Sequence, residues 1–152
     1  MERLPIIETL KYLPDAIEAE VAGLPESVLR YRPDEGDWSI IEVVGHLRDA
    51  AEVWHGRLYQ VWSQTDPLFV SFDGEAYVRD RGYQAAVALD LIAEMRRFRL
   101  RTVDLLSEAV DWTRIGRQPG VGRRSLRQFA EYVIGHDSDH LAQIRTLKLA
   151  QG

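Results

Sequence analysis

A chain of 152 residues that is 45% hydrophobic and 28% charged carries enough apolar mass for a folded core, which excludes a natively disordered protein. Its 19 Lys and Arg against 24 Asp and Glu give a net charge of -5, the wrong sign for a protein that lives on phosphate backbones, so nucleic acid is not expected as a partner. With no cysteine there is no disulfide, thiolate metal site or cysteine nucleophile, and any metal has to be held by His or carboxylate.

The opening residues, Met1 to Pro5, lack the basic start and apolar run of a signal peptide, and no apolar run approaches the about 20 residues of a membrane span. A cytoplasmic protein with no membrane partner is expected. Four stretches then repeat apolar residues at alternating steps of three and four, which predicts an all-α four-helix bundle forming a single domain over residues 1–152. The first runs Ile6, Leu10, Leu13, Ile17 and ends near Gly23-Leu24-Pro25, with Pro14 expected to kink it or delay its start. The polar connection from Glu26 to Asp37 is broken by Pro33 and Gly36 and leaves room for one short helical turn around Ser27 to Tyr31.

The second helix declares its start: Ser39 can cap it, Glu42 can reach back, and Trp38 can pack on Val43. Its seam of Ile40, Val44, Leu47, Ala51, Trp54, Leu58 and Val61 holds for about six turns. From Ser63 to Gly82 the spacing is lost, and a long connection is expected, anchored by Phe69, Phe72, Tyr77 and Tyr83. The third helix carries Ala88, Leu91, Met95, Phe98, Thr102, Leu105 and Ala109 and fades at Asp111-Trp112-Thr113. Gly116, Pro119, Gly120 and Gly122 predict a turn-rich link. A second capping box, Ser125 with Gln128, opens the fourth helix.

On that helix the seam turns polar: after Leu126, Phe129 and Val133 come His136, His140 and Gln143. A buried imidazole without a partner costs about 1 to 3 kcal/mol, and two on one seam need a shared reason. Residues four apart sit about 40° apart around a helix and about 6 Å along it, so both rings can converge on one metal ion. A third ligand has to come from another helix, and the candidates are His46 and His55, which face opposite sides of the second helix. His46, on an apolar flank beside Val43, Ala50 and Val53, is preferred, although helical angle alone does not decide between them. Three imidazoles leave open positions on an ion, which is a catalytic rather than a structural layout.

Gln143 falls one turn beyond His140, placed either to bind substrate or to hydrogen-bond a ligand. In the bland reading the three histidines are independent and capped by carboxylates such as Asp49, Asp137 or Asp139; in the sharper one Asp49 and Asp139 orient a ligand imidazole or act as general base, with a solvated carboxylate an equal reading of those two. Arg96, Arg97, Arg99 and Arg101 spread around their helix and read as a solvated face paired with Glu94 and Asp104. Arg123, Arg124 and Arg127, clustered at the start of the fourth helix, read first as surface charge and second as a receiver for an anionic substrate. Trp38, Trp54, Trp62, Tyr77 and Tyr83 are read first as core or interface packing and second as walls of a pocket.

The stretch from Arg32 to Ala50, with Trp38-Ser39 followed by Glu42 and His46, resembles the signature of the DinB-like superfamily, in particular its YfiT-type branch of metal-dependent hydrolases. Gly135-His136-Asp137-Ser138-Asp139-His140-Leu141-Ala142-Gln143-Ile144 is similar to that family's last-helix motif. The resemblance implies a four-helix bundle with an unusual left-handed connection, often a homodimer, and a metal held by one histidine of the second helix and two of the fourth, here His46, His136 and His140. It implies a small-molecule substrate, but no single reaction, since members include thiol-dependent transferases and isomerases. The expected protein is thus a metal-dependent hydrolase, or an S-transferase using an external low-molecular-weight thiol, with zinc or nickel as the foremost divalent ion and iron or copper also compatible. The competing reading is a non-enzymatic metal-binding or dimerising bundle.

Overall fold

In a computed structural model, which describes residues 2–109 and 111–151, four long helices pack side by side. The first, α1 (Arg3–Val21), begins well before Pro14 and runs through it, burying Ile6, Leu10, Leu13 and Ile17. Proline removes the N–H that would bond the carbonyl four residues back, at Leu10. That carbonyl instead accepts from Nη1 of Arg99 at 3.0 Å, which supplies the lost donor and corrects the expectation of a helix starting late. One short turn, α2 (Glu26–Leu29), follows in the polar connection.

The predicted capping box forms: Ser39 accepts from the Glu42 N–H, and the Glu42 carboxylate accepts from the Ser39 N–H at the head of α3 (Ile40–Ser63). Arg32 grips the same carboxylate with two hydrogen bonds, tying the connection to the helix start. Glu42 therefore sits below the usual carboxylate range although its burial alone would raise it.

The connection after α3 is not structureless. It contains α4 (Gly74–Arg81), capped by Asp73 at the Ala76 N–H and stopped by Gly82 in the left-handed conformation, and then a single 3-10 turn, Tyr83–Ala85. Within α4 only Val78 is buried, so the segment has no apolar seam for periodicity to show. After α5 (Ala88–Glu108), the turn-rich link is likewise more regular than expected: β1 (Ile115–Gln118) pairs antiparallel with β2 (Gly122–Ser125), Ile115 opposite Ser125. Gly120 and Gly122 at the bend have φ of +77° and +104°, which favour glycine. Gln128 and Ser125 form the second capping box, starting α6 (Leu126–Leu149).

Among the long helices, α1 packs on α5 and α6, and α3 packs on the same two. Consecutive helices α1 and α3 thus stand at opposite corners, as do α5 and α6, and the connections between them have to cross an end of the bundle. No described helix is long and apolar enough to cross a membrane.

Candidate metal centre

The capping box at Ser39 sets the rotation of α3, and with it His46 points into the seam shared with α6, only 7% exposed. On α6, His136 and His140 are successive seam residues facing it. One ring nitrogen from each of the three lies within 4.8 Å of the others, and Nε2 of His46 is 3.0 Å from Nε2 of His136. An ion with bonds of about 2.0 to 2.1 Å sets its donors about 3.0 to 3.4 Å apart, so that spacing suits a shared coordination sphere. His55 lies elsewhere, half-buried, with Nδ1 3.3 Å from the Thr102 hydroxyl on α5.

Each α6 histidine has an acceptor on its outer nitrogen. Gln143 Oε1 accepts from His140 Nδ1 at 2.8 Å, and Asp137 Oδ1 lies 3.4 Å from His136 Nδ1. Holding the proton on Nδ1 leaves the Nε2 lone pair facing inward. His46 is steadied differently: Phe72 stacks parallel to its ring at 6.2 Å, Trp38 lies at 5.0 Å, and Gly74 is so close that a Cβ there would stand 2.6 Å from His46 Cε1. Its Nδ1 is sealed without a hydrogen-bond partner. Burial, reinforced by the neighbouring His140 and His136, pushes His46 down to about 3, and burial also lowers His140. Both are neutral at physiological pH, the form in which imidazole binds metal. The donor set and its inward lone pairs fit a divalent transition metal.

Behind His136, Asp137 is 2% exposed and paired with Arg99, itself 2% exposed. Burial alone would raise Asp137, but the Arg99 guanidinium and His136 hold it below the ordinary carboxylate range. The expectation of Arg99 as part of a solvated face is therefore wrong: an arginine at a buried helix position needs a carboxylate, and the one it meets lies on a helix distant in sequence. Asp49 also departs from its expected place. It accepts from the Tyr83 hydroxyl at 2.5 Å and pairs with Arg48 and Arg81, far from orienting an imidazole. Tyr83, pushed up to about 12 by burial and by Asp49, lies so tightly on Gly45 that a Cβ there would be 2.1 Å from its ring. Asp139 has no hydrogen bond or ion pair shown to a ligand histidine.

A cavity of about 370 Å³ opens on the His46 and His136 side, walled by Trp54, Arg57, Phe72 and Tyr132 and by Gln118 and Pro119 of the hairpin. A smaller one, about 240 Å³, opens at His140 beside Trp38, Glu75 and Gln143. Trp62 and Tyr77 stay partly exposed, so of the aromatic set Trp38 and Trp54 are the ones brought to the site's surroundings. Arg57, Phe72 and Gly74 are contributors that spacing did not single out; the Phe72-Asp73-Gly74 sequence, an N-cap followed by a small residue, was the available signal.

Four long helices with three histidines converging at one seam define a class of helical bundles with an internal histidine cluster. The chain belongs to the DinB superfamily, whose family model matches residues 9–144. It is 25% identical over 151 residues, 96% of this chain and 84% of its relative, to a protein of Geobacillus thermodenitrificans (strain NG80-2) named "Putative metal-dependent hydrolase". The fold matches that of YfiT from Bacillus subtilis with a TM-score of 0.92 and 21% identity, covering 99% of this chain and 88% of that one. YfiT is described as "a probable metal-dependent hydrolase with an unusual four-helix bundle topology".

Proposed function

We propose that the protein is a metal-dependent enzyme acting on a small molecule, with His46, His136 and His140 as the ligands of one divalent ion, zinc or nickel foremost. The observation that carries this reading is the convergence of three imidazole nitrogens within 4.8 Å beside an open cavity. A divalent ion held there would supply Lewis acidity, lowering the pKa of an attacking nucleophile or polarising a substrate oxygen. Gln143 acts as a positioning residue, fixing the His140 tautomer through its Oε1. Asp137 does the same for His136, and Arg99 fixes Asp137. Phe72 and Trp38 cover the His46 ring and restrict water to the two open sides.

Among the described residues no carboxylate lines the larger cavity and its two histidines are committed as ligands, so proton transfer there falls to the Tyr132 or Ser71 hydroxyl or to solvent. With no cysteine in the chain, a thiol nucleophile would be external. The name carried by the relative favours hydrolysis, and transfer to a low-molecular-weight thiol uses the same cavity. The test is to load the protein with zinc or nickel, count the ions per chain, and assay ester hydrolysis beside conjugation of a small electrophile to an external thiol. One ion per chain, lost together with turnover in His140→Ala, is the expected result. Turnover that survives complete metal removal would defeat the proposal.

A further inference from the structure

Arg57 is an unusual residue to find on the wall of the larger cavity. It is 6% exposed, yet among the described residues no carboxylate comes within ion-pairing distance of it. The other buried arginine among the described residues, Arg99, has Asp137. Of its five donors, Nη2 gives a hydrogen bond to the Val70 carbonyl at 2.8 Å, and Nε is sealed without an acceptor. The guanidinium lies over the Trp54 ring at 4.8 Å and the Phe69 ring at 5.2 Å, contacts that support a cation but do not neutralise it. Burial pushes its pKa down, yet a guanidinium keeps its proton at any physiological pH.

A buried charge without a counterion is costly, and one carbonyl contact does not require a charge. Its place in the helix supplies a use. Arg57 is eleven residues after His46 on α3, within about 20° of the same face and about 16 Å further along. Helical side chains lean towards the N-terminus, so the Arg57 guanidinium leans back over Trp54 towards the histidines. The cavity therefore has the imidazoles at one end, a cation at the other, and aromatic walls from Trp54, Phe72 and Tyr132 between them.

We propose that Arg57 receives an anionic group of the substrate, a carboxylate or phosphate, holding a compact organic anion with its reacting end towards His46 and His136. The proposal rests on the reading of the histidine triad as the reacting centre. The planar fork of a guanidinium matches the paired oxygens of either anion, which a lysine would not.

The test titrates the zinc-loaded full chain with butyrate, butyl phosphate and butyramide by calorimetry, with zinc content measured in parallel. At least one of the two anions is expected to bind tenfold or more tightly than the neutral amide, and the one that does identifies the group. Arg57→Met should abolish that preference at unchanged zinc content, and Arg57→Lys should restore only part of it. In the wild-type chain, the Nε–Hε resonance of Arg57 should shift with the preferred anion and not with butyramide, a readout that needs no variant to fold. Equal binding of anion and amide, an anion preference that persists in Arg57→Met, or an unmoved Arg57 resonance overturns the proposal. An anion preference that depends on Arg57 in a chain that takes up neither zinc nor nickel upholds the anion site and overturns the triad as a metal centre instead. Zinc uptake without anion preference does the reverse.

Discussion

Arg99 donates to the carbonyl that Pro14 leaves without its helical partner, and with its other nitrogen it pairs with Asp137, which carries His136. A proline in the first helix is thereby connected to a histidine in the last. Arg99→Met leaves Asp137 buried without its counterion, and loss of one partner of a buried pair costs about 3 to 5 kcal/mol. Removing the support of a ligand histidine should also weaken metal binding by about 10- to 100-fold. Urea unfolding and chelator competition measure the two effects; a variant as stable as the wild type would show that the pair contributes nothing.

Metal stoichiometry should separate the histidines. His46→Ala and His140→Ala are expected to lose most bound ion by elemental analysis while helical circular dichroism persists, because the two core clusters that hold the bundle together are apolar. His55→Ala, which only breaks a contact to Thr102, should bind a full equivalent. The opposite pattern would place the site elsewhere.

Gly74 is held against His46 by space rather than by backbone conformation. In Gly74→Ala the new Cβ would stand 2.6 Å from His46 Cε1, so either the ring or the start of α4 has to move. Alanine is otherwise the better helix former by about 1 kcal/mol, and overall helix content should hold or rise. A tenfold or greater loss of metal affinity in a fully helical protein is the expected outcome, checked by competition with a chromogenic chelator; unchanged affinity would show that the close packing is irrelevant to the ligand.

Acid should act on stability and occupancy together. The folded chain holds His46 at about 3, whereas an unfolded chain titrates it near 6.5, so between those values the unfolded state binds more protons. Stability from this group is complete above about 6.5 and is lost as pH falls towards 3. Because coordination also needs neutral imidazole, the ion should leave over the same range, with more than one proton taken up per ion released. The urea midpoint of metal-free protein, followed against pH for the wild type and His46→Gln, measures the first effect, and a steeper slope in the wild type is expected.

The bundle was legible because its four seams are long and its two best starts are signalled by side chains within three residues of each other, Ser39 with Glu42 and Ser125 with Gln128. The histidine cluster was legible for a similar reason: polar residues interrupted an apolar seam. What escaped was set by contacts between distant segments. Arg99 looks like its exposed neighbours until the Leu10 carbonyl and Asp137 surround it. Helix α4 buries one side chain and so has no period, and the four-residue strands β1 and β2 bury only Gly116 between them and do not alternate. Arg57 carries no local mark, since nothing in its neighbourhood in the sequence tells that Trp54, Phe69 and Val70 enclose it.

The corner-to-corner arrangement of the helices has a consequence for biogenesis. The triad draws its histidines from α3 and α6, its buttress from α5, and the anchor of that buttress from α1. During synthesis the first three long helices can associate while the chain still lacks two of its three imidazoles. A chain that stops short of α6 therefore holds His46 without the other two members of the triad, so a metal site built on all three would form only when α6 docks.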